Sequence, residues 1–136
     1  MSRETDLAWA AGIIDGEGHI GLYLSHTNTG DCYVLKVAVV NTSLKMLERL
    51  KEIFGTGVIN NRPQRQAHHK QQWCFYACSK KAEKILDAVR PYLVAKLDQA
   101  ELGLLSRKYI RQHGINTVNL EMDKQGDISA QLKGLH

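Results

Sequence analysis

Two acids close a short run of small residues near the start of the chain, in Ala8-Trp9-Ala10-Ala11-Gly12-Ile13-Ile14-Asp15-Gly16-Glu17-Gly18. Read as a helix, the run puts Ala8, Ala11, Gly12 and Asp15 at i, i+3, i+4 and i+7, a narrow stripe of small residues ending in an acid. Such stripes let two helix backbones approach closely and make this face a candidate dimer interface. Gly12 in mid-helix costs roughly 1 kcal/mol against alanine, which close packing would explain. Leu7, Ala10, Ile13 and Ile14 then face the core. Asp15 and Glu17 fall at the C-terminal end of the helix, where the dipole disfavours anions. A bound divalent cation would remove that conflict. Hard cations such as Mg²⁺ take carboxylate and carbonyl oxygens, usually one or two carboxylates completed by phosphate. Two such helices packed about a two-fold axis would bring their Glu17 carboxylates together, the layout of two-metal phosphodiester hydrolysis. The same residues also fit an acidic turn with solvated carboxylates, and spacing alone does not separate the two.

A second cluster is basic. Arg62, Arg65, His68, His69 and Lys70 are interleaved with glutamines, a mixture suited to phosphate contacts and base-edge hydrogen bonds, or to a solvated loop. His68, His69, Cys74 and Cys78 invite comparison with a zinc site, but two of these positions are expected on a core-facing strand, so no zinc is expected. The three cysteines, an odd number without tight pairing, read as reduced thiols in a reducing compartment.

The frame around these residues is ordinary for a globular protein. The 136 residues suit one domain with a real core, and 43% hydrophobic and 24% charged residues with a net charge of +4 fit that class. No stretch approaches the roughly 18 apolar residues of a membrane span. The polar, acidic N-terminus resembles neither a secretory signal nor a transit peptide. An intracellular setting is expected, whether bacterial or phage-host cytoplasm or an organelle.

Several elements must position the candidates. Residues 7–16 read as a helix capped by Asp6. Residues 19–25 alternate, with Ile20, Leu22 and Leu24 on one face and His19, Gly21, Tyr23 and Ser25 on the other. A turn over 26–31 leads to a β-branched strand at 32–41, completing a hairpin. An amphipathic helix at 43–54 carries Leu44, Leu47, Leu50 and Phe54 and stops at Gly55. Strands near 57–62 and 71–78 follow, then a helix at 80–90 broken at Pro91 and a helix at 97–112. The core is expected over about 6–113, with 114–136 an unassigned tail of the same single domain. Two antiparallel hairpins with helices on one side give an α+β fold of order αββαββα, continued by a further helix.

Trp9 to Gly18 resembles the LAGLIDADG motif of homing endonucleases, matching at Gly12, Asp15, Gly16, Glu17 and Gly18 with Ala11 and Ile13-Ile14 as usual variants. The motif's place near the N-terminus, leading into a hairpin, is also the family's. The resemblance implies an αββαββα core whose antiparallel sheet forms a DNA-binding saddle. It implies that Glu17 is a metal ligand and catalytic acid, that the Gly16 carbonyl also faces the metal, and that Asp15 caps the helix end. One motif implies a homodimer that makes double-strand breaks in a nearly palindromic DNA site, one strand per active site. Mg²⁺ is the implied cofactor, with Mn²⁺ or a non-cleaving Ca²⁺ in its place.

Pro91-Tyr92-Leu93-Val94-Ala95-Lys96 resembles the family segment that carries an active-site lysine, which puts that role on Lys96. There it would neutralise developing phosphorane charge or hold the attacking water. Asn41 falls where the family positions its water network, and it also suits the cap of the 43–54 helix. The family's further active-site arginine has no clear counterpart, Lys45 being the nearest. DNA-reading side chains belong on strand faces turned from the helices: His19, Tyr23, Ser25, Lys36, Asn60, Arg62 and Gln72 or Trp73. Arg65, His68, His69 and Lys70 would grip phosphates. The resemblance leaves two other activities open, RNA maturation of a host intron and non-cleaving regulation through DNA binding.

Overall fold

Ser2 starts the first helix one turn before the expected cap. Its Oγ accepts the Thr5 N–H at 3.2 Å, and the helix runs over α1 (Arg3–Glu17). Asp6 lies inside that helix and pairs with Arg49 at 2.9 Å. The structure, a computed structural model, describes residues 2–27, 30–63, 70–113, 131 and 134. After α1 come β1 (Gly18–Thr27), β2 (Gly30–Asn41), α2 (Leu44–Phe54), β3 (Val58–Arg62), β4 (Gln72–Cys78) and α3 (Lys80–Val89). A 3₁₀ turn (Arg90–Tyr92) leads to α4 (Leu97–His113). The strands of the first hairpin reach Thr27 and restart at Gly30, so they are longer than alternation alone predicts. The expected tail at 114–136 falls almost wholly outside the described residues.

The four strands form one antiparallel sheet in the order β1-β2-β4-β3. Period-two alternation gives the sheet two unlike faces. Ile20, Leu22, Leu35, Val37, Val39, Phe75 and Ala77 point to the helices and are buried. They meet Ala10, Ala11 and Ile14 of α1, Leu47, Leu50, Ile53 and Phe54 of α2, and Ala82, Ile85, Leu86 and Val89 of α3. Each large side chain so buried contributes roughly 1.5–3 kcal/mol. The αββαββα order and the α+β class stand as expected.

Caps and ties fix the helices over the sheet. Ser43 caps α2 through its Oγ, which accepts the Met46 N–H at 3.3 Å. Gly55 ends that helix in the left-handed region at φ 67°, which glycine adopts without strain. Arg3 donates to the Ile53 carbonyl, so the start of α1 closes the end of α2. α4 lies close to the sheet because Gly103 has no side chain: a Cβ there would stand 2.7 Å from Leu35 Cδ1. A buried pair, Arg107 Nε to Glu83 Oε2 at 3.2 Å, joins α4 to α3. Burial pushes the Arg107 guanidinium below its ordinary value.

Candidate active site and the open sheet face

α1 must pass directly into β1, and Gly18 makes the junction possible. A Cβ at Gly18 would stand 2.7 Å from the Ile14 carbonyl oxygen and 2.9 Å from Ile14 Cα, a fit no side chain has. The Gly18 N–H closes the helix on that same carbonyl. Glu17 is therefore the last helical residue, at the lip of the sheet, and both it and Gly16 are exposed. Among the described residues, the Glu17 carboxylate has no hydrogen bond or ion pair within the chain.

Asp15 behaves differently. Its Oδ2 accepts the Val94 N–H at 2.9 Å and its Oδ1 accepts the Lys96 N–H at 3.0 Å. Lys96 Nζ reaches back to donate to the Asp15 carbonyl at 2.7 Å. The electrostatic conflict read at this helix end is thus relieved at Asp15 by two backbone N–H groups and an ammonium, not by a metal. The same bonds bring the Lys96 loop to the end of α1. Asn41 ends β2, and the pairing of Gly18 with Val39 puts it at the same end of the sheet. Its Oδ1 accepts the Ser43 N–H at 2.8 Å, so it buttresses the cap of α2 while Ser43 is the cap itself. Lys45 lies exposed on α2.

The small-residue stripe on α1 needs one correction. Ala8 and Gly12 are exposed, but Ala11 is 0% exposed and belongs to the core. The open ridge is Ala8, Gly12 and Gly16, at steps of four. A Cβ built at Gly12 or Gly16 meets nothing within 4 Å. Asp15 is half-buried under the 94–96 loop and stands beside this ridge, not on it.

Among the described residues no helix lies over the other face of the sheet. His19, Tyr23 and Ser25 of β1 point there, as do Lys36 of β2, Asn60 and Arg62 of β3, and Gln72 of β4. A shallow groove of about 560 Å³ crosses it, lined by His19, Tyr23, Lys36, Arg62 and Cys74 among others. Trp73 points the opposite way: it pairs with Asn41 and Asn61 and packs against the core, because Phe75 and Ala77 fix the register of β4. Cys74 and Cys78 lie on the open face, against the expectation that they face the core. Among the described residues no three His, Cys, Asp or Glu gather as a metal site. Arg65, His68 and His69 lie outside the described residues, and Lys70 is exposed.

Tyr76 is a residue of this face that the sequence reading missed. Lys36 Nζ sits 5.1 Å from its ring centroid, and Asn60 Nδ2 donates to its hydroxyl at 3.5 Å. Its parity with Gln72 along β4 was the available signal. On the β1 side Tyr23 Oη meets Cys78 Sγ at 3.8 Å. Burial first, then the contact with Cys78, raises the Tyr23 hydroxyl above its ordinary value. Burial also raises the Cys74 thiol, with Lys36 and Arg62 pulling the other way.

No family model and no curated protein matches the sequence. Solved structures do match, over nearly the whole chain. The homing endonuclease I-CvuI, in a complex with the I-CreI target in the presence of Mg, superposes with a TM-score of 0.81 at 18% identity, covering 98% of this chain and 83% of its own. The archaeal intron-encoded homing endonuclease I-Vdi141I, complexed with DNA, gives 0.80 at 13% identity, over 99% of this chain and 86% of its own. The LAGLIDADG meganuclease I-CpaMI, bound to uncleaved DNA, gives 0.72 at 20% identity, over 90% of this chain but only 42% of its own. The fold is that of the LAGLIDADG homing endonucleases.

Proposed function

We propose that this chain is a single-motif LAGLIDADG homing endonuclease, a homodimer that cuts both strands of a long, nearly palindromic DNA site. The observation that carries the reading is the tie of the Lys96 loop to Asp15, two residues before the exposed Glu17, at one end of an open polar sheet face. Two similar folds, I-CvuI and I-Vdi141I, have structures complexed with DNA. The match to less than half of I-CpaMI supports one copy of this chain acting as half of a pair. The exposed ridge of Ala8, Gly12 and Gly16 gives that pair a close two-fold contact.

The residues present fit a hard divalent cation. Glu17 and Gly16 are exposed, and among the described residues no three His, Cys, Asp or Glu gather there. Coordination by a single carboxylate, completed by phosphate oxygens, is the usual manner of Mg²⁺. Once bound, such an ion would supply Lewis-acid stabilisation at the scissile phosphate and make water a stronger nucleophile. Lys96 donates one N–H to Asp15 and has two left for the charge that develops on the phosphate. Asn41, its carbonyl oxygen engaged by Ser43, has its amide N–H groups to orient water. Lys36, Asn60, Arg62, Gln72 and His19 read base edges in the major groove, with Tyr23 and Ser25 beside them. Lys70 and its loop neighbours Arg65, His68 and His69 hold phosphates.

The test is cleavage of a randomised double-stranded library with Mg²⁺, followed by sequencing of the cut ends. The expected product is a single long site with near two-fold symmetry. Glu17→Gln should lose cleavage while binding that site as tightly as before. A Glu17→Gln chain that cuts as fast as wild type overturns the metal assignment. A wild-type chain that selects a site and never cuts it makes the protein a DNA-binding regulator.

A further inference from the structure

By spacing, Asp15 belongs to the small-residue stripe of α1, but its oxygens are committed elsewhere. Both carboxylate oxygens accept backbone N–H groups, from Val94 and Lys96, and its carbonyl accepts the Lys96 ammonium, all at 2.7–3.0 Å. We propose that Asp15 is the positioning residue for Lys96, an inference that rests on the nuclease reading of Glu17 and Lys96.

The physical case has three steps. The Val94 and Lys96 amides converge on one carboxylate, so the bonds restrain the backbone from which the Lys96 side chain leaves. Bonds to a carboxylate are about twice as strong as neutral ones. An asparagine in its place has one oxygen and would turn its NH₂ toward one of the two donors. The lysine side chain is long and flexible, and without an anchor its ammonium would sample many positions. Here the ammonium is anchored at the C-terminal end of α1, where the helix dipole favours a cation, two residues from Glu17. Asp15 thus orders both ends of Lys96, its backbone nitrogen and its charge. Val94 is 84% exposed, so core packing of its side chain does not hold the loop.

The experiment is a double-mutant cycle of Asp15→Asn and Lys96→Met, read by single-turnover cleavage of the selected site. DNA affinity in Ca²⁺ and thermal melting are measured on the same four proteins. Asp15→Asn should slow cleavage by on the order of 100-fold, the scale of a misplaced catalytic group. Affinity should be that of wild type, with the protein fully folded at the assay temperature. In the Lys96→Met background Asp15→Asn should cost nothing further, and the Val94 and Lys96 amide proton resonances should move upfield when the carboxylate is lost. Should Asp15→Asn melt early, Val94→Pro removes one donor without touching α1 and should give the same non-additive loss. A full further loss in the Lys96→Met background, or affinity falling in step with rate, overturns the positioning role alone. A wild-type chain that cuts no DNA overturns the nuclease reading and this role with it.

Discussion

Gly12→Ala separates what α1 does for its own protomer from what it does for a pair. Within the protomer a methyl group at Gly12 meets nothing within 4 Å, and the position is interior to the helix. Alanine should therefore stabilise the isolated protomer by about 1 kcal/mol. For a chain of this size that raises Tm by roughly 3–5 °C. Across a two-fold contact the same methyl enters twice, once from each helix, where close approach depends on its absence. Overpacking of that kind costs typically 1–3 kcal/mol, which weakens association by about 5–150-fold. Sedimentation equilibrium gives the dissociation constant, and thermal melts at two concentrations a hundredfold apart give the two signs separately. The melting advantage of Gly12→Ala over wild type should shrink from the dilute to the concentrated sample. It reverses once the association loss exceeds about 2 kcal/mol, the summed helix gain of two protomers. A uniformly raised Tm with an unchanged dissociation constant would refute the contact through this ridge. A Tm lowered at both concentrations would refute the open space at Gly12.

Two further outcomes follow from the buried and titrating groups. Glu83→Gln leaves the Arg107 guanidinium, 5% exposed, without its carboxylate, a loss of about 3–5 kcal/mol; urea denaturation should show it, and the paired change Glu83→Leu with Arg107→Met should restore most of it. Burial holds the Cys74 thiol above its ordinary 9.0. The folded chain therefore binds that proton more tightly than the unfolded one, and the associated stability is full below about pH 9 and lost as pH rises through the folded value. Cys74→Ser should flatten the alkaline fall in urea midpoint between pH 8 and pH 10, and an unchanged fall would assign it elsewhere, Tyr23 being the other raised group on this face.

Periodicity made the first strand legible, since Ile20 and Leu22 alternate with His19, Gly21 and Tyr23 and only one face of such a strand can be buried, while β-branched content marked the second. β4 was harder, because Trp73, Phe75 and Ala77 compete with Cys74, Tyr76 and Cys78 for the inward side and both sets contain hydrophobic residues. The pairing with β2 and β3 decides between them, which is why Trp73 turned inward and Tyr76 outward. The cap of α1 was displaced from Asp6 to Ser2 because Arg49, far along the chain, claims the Asp6 carboxylate. Spacing on a helical wheel put Ala11 with Gly12, yet α1 is packed on more than one side, so the buried arc reaches Ala11 and the free arc shrinks to a ridge. Glu17 was a candidate from its place at the helix end, alongside a solvated acidic turn, whereas the roles of Gly16 and Lys96 were visible only through resemblance. The bonds of Asp15 to Val94 and Lys96 were not visible at all, because no local pattern encodes them.

Those bonds also set an order of events during synthesis. They join positions 79 and 81 residues apart, and at 5–20 residues per second the ribosome needs about 4–16 seconds to make the intervening chain. Through that interval the nascent polypeptide carries its acidic residue without its lysine. A fragment ending before residue 94 lacks both amides and the ammonium, so premature release yields a chain in which the candidate site is incomplete. For a protein proposed to break chromosomes, assembly of the site is deferred until most of the chain has been made.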